Sequence, residues 1–406
     1  MGKDRLLMAL PILILTLLTA VVLEAQVQPS RSLRIIVRIT GEVAKYRELL
    51  KVHGVIHGEV SELNAIVMEV QENAVKTLMK LPFVKHVERD EEYSALSEVT
   101  WNVEMINATS VWTNYNSTYG DAAYGYSESI RVAVVDTGID YNHKDLQGSV
   151  SWCIASLNNG KTFYKGTNLR NCRDTNGHGT HVAGIIAARL NGVGVAGVAP
   201  KVYLYAVKVL GSSGSGYVSD VARGIVEATK GPDGIPGNLD DADVISMSLG
   251  GPDSSLLHDA VVYAYGYNVT LVAASGNEGA SDPSYPARYP EVIAVGAIDI
   301  NYNVPEWSNR NPDFVAPGVN VLSTYLNNKY SYMSGTSMAC PHASAAIALI
   351  QALRLASGLP KLTPEEVKDV LAKTAIDLGS EGPDNVYGYG LIDARRAVDL
   401  ALSGET

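Results

Sequence analysis

Apolar residues fall at three different spacings along the chain, and each change of spacing marks a change of organisation. Residues 6–23 form one apolar run, preceded by Lys3 and Arg5 and followed by Glu24, Ala25 and Gln26. A charged start, an apolar middle and a small residue before a polar stretch predict a secretory signal over residues 1–25. About 18 apolar residues are also nearly enough to span a bilayer, so a retained membrane anchor is the competing expectation. In either case the rest of the chain is expected outside the cytoplasm.

Residues 26–96 read as a small α+β domain. Leu33–Thr40 and Ala65–Val70 are rich in β-branched residues and predict strands, as does the short apolar run Val84–Val87. Helical spacing of apolar residues appears at 43, 46, 49 and 50 within Val43–Val52, and at 75, 78 and 79 within Asn73–Leu81. The expected order is strand, helix, strand, strand, helix, strand. This is the split β-α-β, ferredoxin-like pattern, with helices layered on an antiparallel sheet. It carries no catalytic grouping.

From Ile130 onward, continuous apolar runs at Val132–Val135, Val202–Val209, Val244–Met247, Thr270–Ala274 and Val292–Val295 predict strands. Between them His178–Arg189, Tyr217–Thr229 and Leu256–Tyr265 read as helices. Strands apolar on both faces and alternating with helices predict a three-layer α/β domain over residues 97–406, with a mostly parallel central sheet. In such sheets the functional site lies beyond the carboxyl ends of the strands.

Composition narrows the function. The chain carries 32 basic and 43 acidic side chains, a net charge of −11, which argues against a nucleic-acid partner. That acidity is unevenly placed: residues 1–96 carry 12 groups of each sign, residues 97–406 20 basic against 31 acidic. Three cysteines without a CxxC pair exclude a disulfide scaffold and a zinc ribbon. Cys153 and Cys172 flank an 18-residue loop and, in an oxidising compartment, either pair or stay free.

Candidate chemistry falls where the strand pattern places a site. VAVVDTG puts Asp136 at a strand's end, NGHGTHVAG puts His178 at a helix start, and SGTSMACPHASAA puts Ser337 where a loop enters a helix. A serine hydroxyl is a weak nucleophile until an imidazole takes its proton, and the imidazolium so formed needs a carboxylate to hold its tautomer and charge. The helix dipole at Ser337 favours a developing negative charge. Asn277, in VAASGNEG, is a turn residue by type, but its amide can also donate to an oxyanion. His181 and His342 read as packed helix residues, because HGTH lacks the Glu of a zinc-protease motif. Cys340, one turn after Ser337, reads as small half-apolar packing.

With these motifs in the order Asp, His, Ser, the chain from about residue 33 to 399 resembles the subtilisin-like serine proteases, most of all the secreted enzymes of heat-loving archaea and bacteria. The resemblance implies that Asp136 orients, His178 takes and returns the proton, and Ser337 attacks the peptide carbonyl. Asn277 and the Ser337 N–H would hold the oxyanion, with Thr336 a weaker donor. Substrate would lie as an added strand between Gly214, Ser215 and Gly216 on one side and Ser248, Leu249 and Gly250 on the other. Pairing through the backbone implies broad specificity. Ala274 and Gly276 would line the pocket for the residue before the cleaved bond, where Ser284 replaces a common glycine. Glu278 would face either that pocket or solvent.

The same resemblance implies structural calcium. Asp145, the Asn191 side chain and the carbonyls of Arg189, Val193 and Val195 would form one site, with Glu98 a further ligand. The insertion carrying Asp233, Asn238, Asp240, Asp241 and Asp243 is either a second site or a solvated acidic loop. Residues 26–96 become a propeptide that assists folding and inhibits, cleaved between Leu96 and Ser97. Expected partners are protein and peptide substrates and the chain's own propeptide, with a monomer after maturation. The competing reading is a catalytically silent, protease-like binding protein.

Overall fold

The computed structural model describes residues 32–90 and 99–404. The expected cleavage residues Leu96 and Ser97, and the candidate ligand Glu98, lie outside the described residues. The chain divides into two compact units at Ser94 and Ala95.

The first unit runs β1 (Ser32–Ile39), α1 (Val43–Lys51), β2 (Gly54–Val60), β3 (Ala65–Gln71), α2 (Glu72–Leu78) and β4 (Val84–Arg89). Its antiparallel sheet has the order β2-β3-β1-β4. Alternate residues Ile35, Val37 and Ile39 of β1 and Ile66, Met68 and Val70 of β3 face one way and pack with Leu50 and Leu78 of the helices. No apolar run announces β2, because it is an edge strand with no fully buried residue.

The second unit is built on an eight-stranded sheet of order β12-β11-β10-β9-β5-β8-β6-β7. Its strands are β5 (Arg131–Asp136), β6 (Val150–Leu157), β7 (Thr162–Gly166), β8 (Tyr203–Lys208), β9 (Val244–Met247), β10 (Thr270–Ala274), β11 (Val292–Ile298) and β12 (Phe314–Pro317). All pairings are parallel except β6 with β7. Even-numbered residues such as Val132, Val134, Leu204 and Val272 join one core with α5 (His178–Ala187) and α8 (Thr336–Ala356). Odd-numbered ones such as Ala133, Val135, Val207 and Ala273 join a second core with α6 (Val218–Thr229) and α7 (Ser255–Gly266). The two cores make the expected three layers. Helix α8, 21 residues long, is apolar all round and buried along nearly its whole length, which suits the centre of a large core.

Around this frame stand elements the apolar pattern left unmarked. These are α3 (Trp101–Met105), α4 (Ala108–Tyr119), the β6–β7 hairpin, β12, the hairpin β13 (Val321–Tyr325) with β14 (Lys329–Met333), α9 (Pro364–Thr374) and α10 (Ala394–Ser403). Cys153 on β6 is bonded to Cys172, S–S 2.09 Å, which ties the sheet to the segment leading into α5. From β5 the chain fills one side of the sheet (β6, β7, β8) and then the other (β9 to β12). The carboxyl end of β5 is therefore the switch point where a site is expected.

Candidate active site

The site begins at that switch point. Asp136, the last residue of β5, is fully buried, and His178, the first of α5, keeps 22% of its side chain exposed. His178 Nδ1 lies 2.8 and 2.9 Å from the two carboxylate oxygens of Asp136. Nδ1 therefore carries the proton, and Nε2 keeps its lone pair for a reacting hydroxyl. Such a close approach of helix to strand requires Gly179, since a Cβ there would come within 2.2 Å of the Gly138 carbonyl and 3.0 Å of Asp136 Oδ1. Burial pushes the His178 imidazole toward neutrality, but the Asp136 carboxylate, its hydrogen bond and the more remote Asp174 outweigh burial and raise the pKa above the ordinary value.

Ser337 is the second residue of α8, so its N–H belongs to the first turn, which has no intrahelical partner. Its hydroxyl donates to the Ser248 carbonyl at 3.2 Å, while the Ser248 hydroxyl donates to the Ser337 carbonyl at 2.8 Å. Asn277 follows β10, and its Oδ1 accepts from the Thr336 N–H at 2.9 Å and the Thr336 hydroxyl at 3.1 Å. That fixes which end of the amide is which and leaves Nδ2 as the free donor. Thr336 therefore orients Asn277.

Beside these residues runs a cleft of about 400 Å³. Both expected walls line it, Gly214, Ser215 and Gly216 facing Ser248, Leu249 and Gly250, together with Thr137, Asn176, Val218, Val221, Leu257 and Tyr285. Ala274 and Gly276 do not line it. Ala274 is buried in the sheet, and Gly276 turns at φ +112° so tightly that a Cβ would meet Asn309 Nδ2 at 2.3 Å. Glu278 is exposed, with its Oε2 folded back to accept from the Asn277 N–H and from Asn309 Nδ2, each at 3.0 Å.

His181, His342 and Cys340 are structural. His181 Nε2 donates to the Val321 and Ser331 carbonyls, and burial pushes its pKa down to about 4. His342 donates from Nδ1 to the Met338 carbonyl and accepts the Asn102 amide at Nε2, with burial again holding it neutral. Burial pushes the Cys340 thiol up to about 11, which leaves no thiolate to compete with Ser337.

Of the proposed cation ligands, Asp145 is fully buried and accepts from Asn191 Nδ2 (3.2 Å), the Val195 N–H (3.1 Å) and the Tyr330 hydroxyl (2.7 Å). The Arg189 N–H donates to the Asp145 carbonyl, and the Val193 N–H to Asn191 Oδ1. The carboxylate, the amide and the 189–195 loop are thus held together, with N–H and O–H donors turned onto the Asp145 carboxylate. The acidic insertion differs. Asp243 pairs with Lys361 at 2.6 Å and accepts the Arg131 N–H at 2.8 Å, so it belongs to an ion pair instead of a ligand set. Asp240 accepts the Asp233 N–H, and Asp241 accepts those of Gly237 and Asn238, so these carboxylates close the loop on itself. Among the described residues no group of three or more His, Cys, Asp or Glu side chains is gathered to hold an ion.

Sequence reasoning passed over Thr137, Asp174, Asn176, Lys208 and Asn309. Thr137, Asp174 and Asn176 stand close to the motifs and Lys208 and Asn309 do not, and nothing in the sequence reveals that Asp174 and Lys208 are buried.

Comparison with known proteins shows the family. The model of the subtilase family matches residues 127–390. An alkaline protease of Alkalihalobacillus alcalophilus is 38% identical over 365 residues, covering 89% of this chain and 86% of that protein. The minor extracellular protease Epr of Bacillus subtilis is 35% identical over 369 residues, 86% of this chain and 52% of its own. Subtilisin Savinase of Lederbergia lenta is 45% identical over 271 residues, 66% and 90%. The expected leaning toward the enzymes of heat-loving archaea and bacteria is not borne out by these relatives, which come from bacilli.

Proposed function

Because the chain belongs to the subtilase family and is a serine endopeptidase, we propose that Asp136, His178 and Ser337 carry out its chemistry, and that it is a secreted, self-processing enzyme of broad specificity. The observation that carries this reading is the buried Asp136 carboxylate on His178 Nδ1, which leaves Nε2 free beside the cleft.

In the proposed reaction the Ser337 hydroxyl leaves the Ser248 carbonyl for His178 Nε2, gives up its proton there and forms a bond to the peptide carbonyl carbon. The carbonyl oxygen becomes an oxyanion and accepts from Asn277 Nδ2 and the Ser337 N–H. His178 then passes the proton to the departing amine as the C–N bond breaks, and a water repeats the sequence on the acyl-enzyme. His178 must be neutral at the outset. With its pKa raised, activity is lost as pH falls through that value and is full above it.

Asn277→Ala is expected to lower kcat with little change in KM. The fall should be about 10²- to 10³-fold, the range already known for removing one such donor in the subtilisin family. A change in KM alone would mean that Asn277 binds substrate without holding the oxyanion.

Residues 26–96 are proposed as the propeptide, with Leu96–Ser97 the bond first cut. Asp145, Asn191 and the carbonyls of Arg189, Val193 and Val195 would hold calcium. The ion would neutralise the buried carboxylate and brace the loop. Peptide-library cleavage by the purified mature protein, with and without a chelator, tests these readings together. Many cleaved sequences, with faster thermal inactivation in chelator, are expected. Cleavage of a single motif would remove broad specificity, no cleavage would favour the silent binding protein, and an unchanged half-life would remove the calcium.

A further inference from the structure

Resting on the reading of His178 as the base, we propose that Asp174 is a positioning residue, whose carboxylate locks the start of α5 against the end of β5 and so sets the Asp136–His178 geometry. Asp174 is 2% exposed. Its Oδ1 accepts from the Thr137 hydroxyl (2.9 Å) and from the N–H groups of Asn176 (2.8 Å) and Gly177 (3.0 Å). Its Oδ2 accepts from the Thr180 N–H (3.0 Å) and hydroxyl (2.6 Å). Thr137 directly follows Asp136, while the other donors bracket His178 on both sides. One carboxylate therefore holds the backbone at both ends of the Asp136–His178 hydrogen bond.

The struts continue one bond further. The Thr137 hydroxyl accepts the Gly179 N–H at 2.9 Å, and the Thr180 hydroxyl accepts the Asp140 N–H at 2.9 Å. Asp174 is itself anchored independently of α5. Its N–H donates to the Ile139 carbonyl at 3.3 Å, the Ile139 N–H donates to the Cys172 carbonyl at 3.0 Å, and Cys172 is bonded to Cys153 on β6. The helix start is thus fastened to the sheet through a fixed point.

A plain helix cap would affect stability alone. Asp174 differs because its charge also acts on His178. The charged and titratable groups around the pair are Asp136 from β5, Asp174 from the loop, His181 from α5 and Lys208 from β8. Lys208 is buried, donates to the Thr137 and Leu210 carbonyls, and faces both carboxylates. Loss of the Asp174 charge removes one stabiliser of the imidazolium, so the acid limb of activity moves to lower pH. Loss of its hydrogen bonds lets Asp136 and His178 drift, so the plateau falls.

The test is the rate of fluorophosphonate labelling of the folded chain against pH, for the wild type and for Asp174→Asn, Asp174→Ala and Thr137→Val. Asp174→Asn is expected to move the acid limb to lower pH and, since its NH₂ cannot accept from the donors at one end, to lower the plateau, though less than Asp174→Ala. Asp174→Ala should lower the plateau roughly ten- to a hundredfold, the scale of an ångström-size misplacement. Thr137→Val removes one strut without touching the charge, so it should lower the plateau and leave the limb in place. Plateaus and limbs equal to wild type in all folded variants would overturn the proposal. If Asp174→Ala does not fold, the other two variants decide by the same criterion. A wild type that takes no label would instead overturn the reading of Ser337, and this one with it.

Discussion

Ser337→Ala is expected to yield a folded chain that cleaves nothing, takes no fluorophosphonate and keeps its N-terminal unit attached. The cost to the fold is small, because the Ser337 side chain makes one hydrogen bond, to the Ser248 carbonyl, at a partly exposed position. Losing such a bond costs about 1 kcal/mol. The cost to catalysis is the nucleophile itself. Turnover should fall about 10⁶-fold, the size already known for removing the nucleophilic serine in the subtilisin family. If the chain matures itself, the two losses appear together on one gel. The wild type runs as a product whose N-terminus is at or near Ser97, and the variant as a longer chain that still carries residues 33–90. A variant matured as completely as the wild type would assign the cut to another enzyme. A mature N-terminus far from Ser97 would sink the placement of the bond while leaving the chemistry untouched.

What was legible in the sequence followed from how completely each element is buried. Strands β5, β8, β9, β10 and β11 lie inside the sheet with helices on both faces, so nearly every residue must be apolar, and the runs stand out. Strand β7 is an edge strand with no fully buried residue and gave no run to read. Helix α9 did carry a readable start, since Thr363 and Glu366 form a capping box around Pro364, but its apolar stripe is narrow. The chemistry-bearing residues were legible as motifs because glycines must flank them where helix and strand come close. Their supporting partners were not. Whether Thr336 donates to substrate or to Asn277, and whether Asp243 meets a cation in solution or the ammonium of Lys361, depends on residues more than fifty positions away in sequence.

Asp136→Asn separates charge from orientation at the centre of the site. The carboxylate is fully buried and accepts the His178 Nδ1 proton. An amide of the same shape can turn its NH₂ toward Nδ1, which then becomes the acceptor, and the ring proton moves to Nε2. Nε2 is the atom that must take the Ser337 proton, so the chain would hold its base in the wrong tautomer. Turnover is expected to fall about 10⁴-fold, with KM little changed. The pH dependence gives a second reading. Burial lowers the His178 pKa and the Asp136 charge raises it, so with the charge gone burial wins, and the acid limb of the residual activity moves to lower pH. Asp174→Asn shifts the limb in the same direction but leaves the tautomer alone, so its plateau should fall far less than that of Asp136→Asn. The two variants side by side therefore distinguish a carboxylate that sets the proton's position from one that adds only field and framework. If Asp136→Asn kept a wild-type plateau, the tautomer would be set elsewhere, and the role given to Asp136 would be lost.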